Sequence, residues 1–215
     1  MTHRLASALL LLSLLLVPAA TAPAAETPKE KPAASKVAPP DVDAWRKLKF
    51  GLFIHWGPVS LKGTEIGWSR AGQRRGMGWN MPGDKVPADV YDNLYKQFNP
   101  TKFDADEWVQ IAKDSGMKYM VFTTKHRDGF CMFDTKQTDF SIMSSPFHRD
   151  VVKELAAACK KHGLAFGTYH SVVDWHHPDH PNGSPGGSTL KPNANIDRYE
   201  TYLKNQVAEL IRNYG

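Results

Sequence analysis

An α/β domain built on a parallel sheet is the fold class that the sequence predicts, and three observations predict it. From Trp45 onward, short apolar runs alternate with amphipathic stretches, the pattern left by strands and their crossover helices. The amphipathic stretches near Asp104 and Asp150 open at an aspartate and stop at a glycine. Each apolar run also ends, at its C-terminal end, in a cluster of polar and aromatic residues.

Phe50 to His55 is the first expected strand. Gly57 to Asn99 carries many Gly and Pro and reads as an irregular insertion, with a short helix near Ala88 to Gln97. Asp104 begins a helix with Glu107 at capping-box spacing, Trp108, Ile111 and Ala112 as its inward face, and Gly116 as its stop. Tyr119 to Lys125 is the second strand. Asp150 to His162 is the next helix, stopped by Gly163, with Val152, Leu155, Ala156 and Cys159 sharing one face, and Leu164 to His170 is the third strand. Asp197 to Asn213 forms the last helix, with Tyr202, Val207, Leu210 and Ile211 on or near its apolar side.

Parallel sheets need cover on both faces, and three strands alone leave much apolar surface open. The chain therefore reads as unfinished: the first three or so βα units of a (β/α)8 TIM-like barrel, truncated, with Asn213-Tyr214-Gly215 as a helix end leading into a fourth strand.

The residues before Trp45 read differently. Arg4, the apolar run Leu9 to Val17 broken only by Ser13, and the small residues from Ala19 to Ala25 make residues 1–25 an expected signal peptide. The run is well short of the roughly 20 residues of a spanning helix, so export without a membrane span is expected. Residues 26–40, rich in Pro, Lys, Ala and Ser, read as a disordered linker, leaving 41–215 as the folded part. A formal charge of +5 without a dense basic run excludes a case for nucleic acid. Two cysteines, Cys131 and Cys159, exclude a disulfide-built scaffold.

The strand ends carry the chemistry. The first reads Phe53-Ile54-His55-Trp56-Gly57, the second Thr124-Lys125-His126-Arg127-Asp128-Gly129-Phe130, and the third Tyr169-His170 followed by Asp174-Trp175-His176-His177. A lone histidine at a strand end is more often a satisfied structural residue than a ligand. In a barrel, however, successive C-terminal strand ends converge on one rim, so three such clusters predict a shared pocket. Trp56, Trp68 and Trp175 offer aromatic faces for the apolar side of a sugar ring, and His, Lys and Asp offer bonds to its hydroxyls. The competing reading is a metal site from His170, Asp174, His176, His177 and His180. Against it, adjacent His176 and His177 point apart and no metal-binding His spacing occurs. Asp128 and Asp174 read as turn formers or orienting groups before they read as a general acid/base pair.

At these motifs the sequence resembles the α-L-fucosidases of glycoside hydrolase family 29. The matching segments are Lys49 to Pro58, Asn99 to Trp108, Lys118 to His126, Asp128-Gly129-Phe130 and Asp174 to Pro178, in an order and spacing that are specific together. The resemblance implies a (β/α)8-like catalytic domain that removes terminal α-L-fucose from fucosylated oligosaccharides or glycoprotein glycans by double displacement with retention, without metal or organic cofactor. It places the nucleophilic aspartate and the acid/base after Gly215, so that no catalytic carboxylate lies within this chain and these 215 residues alone are inactive.

What the resemblance carries onto this chain is sugar binding by His55, His126 and either Tyr169 or His170, with the pair Glu65 and Trp68 beside them, while Trp56 and Trp175 join the candidate contacts as aromatic faces. The family places Glu and Trp side by side, whereas here Ile66 and Gly67 intervene. Arg127 stands where the family usually has a second fucose-contacting histidine, and it has only donors. His170 stands where many members have Tyr. A non-catalytic carbohydrate-binding remnant on the same rim and a metal-dependent barrel hydrolase are the competing readings.

Overall fold

The computed structural model describes residues 41–71, 85–184 and 190–215. The expected signal peptide and linker lie outside the described residues. Helix α1 (Val42–Leu48), capped by Asp41 accepting from the Ala44 amide, leads into strand β1 (Gly51–Ile54). None of the α1 side chains is buried.

The described parts of the stretch that follows are more ordered than their Gly and Pro content predicts. A 3-10 turn over Pro58–Lys62, helix α2 (Ala88–Asp92) and a 3-10 turn over Leu94–Gln97 enclose a small core of Val59, Ile66, Val86, Tyr91 and Leu94. The apolar residues that build it are scattered at irregular spacing, so no period announces it.

Helix α3 (Ala105–Asp114) starts at Asp104, whose carboxylate accepts from the Glu107 amide at 3.0 Å. Strand β2 (Tyr119–Lys125) follows, then helix α4 (Val151–His162), capped by Asp150 and terminated by Gly163 in the left-handed conformation at φ 75°. Strand β3 (Ala165–His170) and helix α5 (Ile196–Tyr214) complete the order.

The three strands pair in parallel in the order β1-β2-β3, with Phe53 beside Val121 and Thr123 beside Tyr169. One face of the sheet, carrying Leu52, Ile54, Met120, Phe122 and Phe166, packs on Val109 and Ala112 of α3 and Val151, Val152, Leu155 and Cys159 of α4. Both cysteines are free and buried.

Two helix faces differ from expectation. Val109 and Ala112 turn inward on α3, while Ile111, roughly opposite Val109 at about 100° per residue, is 58% exposed. On α5 the inward stripe is Tyr199, Gln206, Glu209 and Leu210, and Ile211 is 68% exposed. Two polar residues occupy that stripe because polar groups face them, Lys125 and His170 of the sheet at Gln206 and Thr135, Lys136 and Gln137 of the loop after β2 at Glu209, which an apolar count does not register.

Candidate functional site

The second face of the sheet carries the site. Alternation brings His55 past the end of β1, Thr123 from β2 and Tyr169 from β3 to the same side, and Thr123 Oγ1 lies 3.3 Å from His55 Nδ1. The pairing of β2 with β3 shifts register between Thr123 and Lys125, and this irregularity brings His126 to that side as well. The His55 ring centroid lies 5.1 Å from that of His126 and 5.5 Å from that of Tyr169, and the His126 and Tyr169 rings stack at 5.8 Å.

Beside these rings lies a cavity of about 380 Å³ lined by His55, Trp56, Gly57, His126 and the loop residues Thr64, Glu65, Ile66 and Trp68, among others. That loop is positioned by a relay of hydrogen bonds. The Gly67 amide donates to Tyr91 Oη at 2.8 Å, Tyr91 donates to Asp128 Oδ2 at 2.6 Å, and Asp128 Oδ1 accepts from the Phe130 amide at 3.3 Å. Burial pushes the Asp128 carboxyl up to about 6, although the Tyr91 and Phe130 hydrogen bonds oppose this.

Gly67 has φ +70°, and a Cβ there would come within 2.5 Å of His126 Nδ1. Gly67→Ala is therefore expected to displace His126 or the loop, lowering ligand affinity at this cavity by about tenfold or more. Unchanged sugar affinity in a calorimetric titration of that variant would separate the loop from the site.

Burial lowers the pKa of His55, with Glu65 acting in the opposite sense. It holds His126 down to about 4, helped by the positive charges of His55 and Arg127. His126 is consequently a neutral imidazole at neutral pH, one nitrogen a donor and the other an acceptor. Among the described residues its Nδ1 is buried without a hydrogen-bond partner, on the side facing Gly67, a condition that costs free energy.

Three expected sugar contacts sit elsewhere. His170 lies on the helix-covered side: Thr124 Oγ1 is 2.9 Å from its Nδ1, and its Nε2 is 3.1 Å from Gln206 Oε1 on α5. Of the alternatives at the end of β3, Tyr169 is the one that joins His55 and His126, because consecutive strand residues face opposite ways. Trp175 is only 4% exposed, its ring 5.6 Å from that of Trp68, and offers no open face. Trp56 touches the cavity but stacks mainly with Phe98, Phe103 and Trp108, in the apolar layer below the sheet. Arg127 does not line the cavity. Its guanidinium carbon lies 4.3 Å from the Trp68 ring centroid and 5.9 Å from that of Trp175.

Beneath the site a buried ionic cluster ties β2 to the segment after β3. Lys125 Nζ is 3.4 Å from Asp174 Oδ2 and 3.1 Å from Gln206 Oε1, with the Tyr199 and Tyr202 rings around it. Asp174 Oδ1 accepts from the amides of His176 and His177. Its oxygens are thus occupied by protein donors, and among the described residues no group of three His, Cys, Asp or Glu side chains is placed to hold a metal ion. Among the described residues no helix is long and apolar enough to cross a membrane.

Acidification reads out the buried histidines. Burial, aided by Lys125, holds His170 down to about 3, so between pH 6.5 and 4 the unfolded chain binds two protons that folded His126 and His170 refuse. The stability tied to that refusal is present above pH 6.5 and is lost as pH falls. Asp128 acts the other way, holding its proton in the folded state below about 6. The net is about one proton, or roughly 1.4 kcal/mol lost per pH unit from about pH 6 to 4, and the lowered pKa values of His55, His176 and His177 act in the same sense as His126. Denaturant midpoints at pH 7, 6 and 5 check this; equal midpoints would contradict it.

Known proteins resemble this chain in sequence and in backbone. The family model described as alpha-L-fucosidase matches residues 16–215. Alpha-L-fucosidase 1 of Arabidopsis thaliana is 34% identical over 174 residues, covering 80% of this chain and 28% of its own length. The solved structure of α-L-fucosidase isoenzyme 1 from Paenibacillus thiaminolyticus superposes with TM-score 0.67 at 36% identity, over 80% of this chain and 40% of that one. A GH29 α-L-fucosidase from Bacteroides thetaiotaomicron, trapped as a covalent intermediate with 2-fluoro-fucosyl fluoride, superposes with TM-score 0.63 at 33% identity, over 79% of this chain and 38% of that one. The chain thus spans well under half the length of each of these proteins. A match running through β1, β2, β3 and their terminal clusters, in sequence and in backbone alike, places the chain in the α-L-fucosidase family.

Proposed function

We propose that this chain forms the fucose-binding part of a retaining α-L-fucosidase, built as the opening βα units of a (β/α)8 barrel. The observation that carries the reading is the convergence of His55, His126 and Tyr169 beside a cavity of about 380 Å³, a volume within the range of small-ligand pockets. Neutral imidazoles and a phenol donate and accept hydrogen bonds, as sugar hydroxyls require, and Glu65 and Trp68 add an acceptor and an apolar wall.

In a retaining mechanism one carboxylate attacks the anomeric carbon while a second carboxyl group, roughly 5 Å away, protonates the leaving oxygen. The covalent intermediate trapped in the Bacteroides relative supports double displacement here. Asp128 and Asp174 are committed to Tyr91 and Lys125 and are both buried. The family resemblance implies that the reacting carboxylates of this reading come from segments that follow Gly215, with His55, His126 and Tyr169 orienting the fucose toward them. No metal or organic cofactor takes part in this chemistry. The substrate is a fucosylated oligosaccharide or glycoprotein glycan, met outside the cytoplasm after residues 1–25 have directed export and been removed, with residues 26–40 as linker.

Release of p-nitrophenol from p-nitrophenyl α-L-fucoside tests the reading. Turnover is expected from the full natural polypeptide, with α-L-fucose as the first product by NMR, and not from residues 1–215 alone. Inactivity of the full polypeptide would overturn it, and activity of the 215 residues would move the catalytic role to Asp128 or Asp174.

A further inference from the structure

Arg127 is used differently from other arginines of the chain. Arg70 pairs with Asp92, Arg149 with Glu154 and Arg198 with Asp179. Among the described residues no carboxylate pairs with Arg127 and no group accepts a hydrogen bond from its guanidinium. It is nevertheless half-buried and held over two tryptophans, with its Cβ beside the position a Gly67 Cβ would take. Stacking on Trp68 and Trp175 limits the orientations open to the guanidinium and leaves its edge donors free.

The location gives those donors a purpose. Arg127 follows His126, which lines the cavity, and it rests on Trp68, which forms part of the cavity wall. It is not itself a lining residue and makes no ring contact with the His55, His126 and Tyr169 group, but stacks on the Trp68 wall, so in this inference it meets what projects past that wall. The support beneath it is firm: Trp175 is buried, its carbonyl accepts from Lys191 Nζ at 2.9 Å, and its amide donates to the Arg127 carbonyl at 2.7 Å. A fixed planar cation with unused, paired donors is suited to an oxyanion.

We propose that Arg127 is a specificity-determining residue that selects glycans carrying an anionic group, a sulfate ester or a carboxylate, on the sugar adjacent to the fucose. The inference rests on the fucosidase reading and adds to it the charge of the substrate.

The test compares three fucosides of the same linkage, neutral, sulfated and carboxylated on the adjacent sugar, with the full natural polypeptide. The anionic glycans are expected to show kcat/KM about tenfold above the neutral one at low salt, with the ratio shrinking as salt is added. The arm with the larger ratio names the group. In Arg127→Gln the ratio is expected to fall to about one, and in Arg127→Lys, which keeps the charge but not the planar fork, to an intermediate value. No preference in the natural protein, or a ratio unchanged in Arg127→Gln, overturns the inference. Should none of the three be hydrolysed, the fucosidase reading fails separately, and calorimetric binding of the same glycans decides on Arg127: an Arg127-dependent preference sustains it, and equal binding overturns it.

Discussion

Asp174→Ala is expected to destabilise the protein by about 3–5 kcal/mol, the usual result of leaving one partner of a buried ion pair without the other. Lys125 and Asp174 are almost fully buried, with side-chain exposures of 0% and 2%, so water cannot take the place of the lost carboxylate. The loss is compounded because the His176 and His177 amides forfeit their acceptor. Asp174→Asn keeps an oxygen for those amides but leaves the Lys125 charge uncompensated, and adding Lys125→Met to it removes that charge. Denaturant midpoints should therefore rise from Asp174→Ala to Asp174→Asn to the double variant. A midpoint for Asp174→Ala equal to that of the natural protein would mean that the pair lies open to solvent.

His126→Phe is expected to lower kcat/KM on a fucoside by about 100-fold while changing stability by less than about 1 kcal/mol. The two effects separate because the imidazole makes ring contacts with His55 and Tyr169 that a benzene ring preserves, whereas its Nδ1 has no partner to lose among the described residues. A purely structural histidine would show the reverse, a lower melting midpoint with proportionate loss of activity. Parallel thermal melts and steady-state kinetics on the same preparations distinguish the two.

Much of this was legible in the chain. The limits of β2 and α4 follow from hydrophobic period and from Asp150 and Gly163, all local signals. His55 and His126, which line the cavity, could be singled out as candidates because each ends a strand, and parallel strands deliver their C-terminal ends to one end of the sheet. The choice between Tyr169 and His170 could not be read, since it depends on the parity of β3 against a register shift in β2. Nor could the Gly67, Tyr91 and Asp128 relay, whose members are brought together from distant parts of the chain by the small core under the loop.

Composition and spacing thus determined the element types, the parallel sheet and the end of the sheet at which the polar residues gather, because those depend on the period of side chains along a single strand or helix. Tertiary structure alone decided which residues face the cavity, that Trp175 supports Arg127 from beneath, and that Lys125 is buried against Asp174 and Gln206. Those outcomes depend on which distant side chain fills the space opposite, and no local pattern in the chain carries that information.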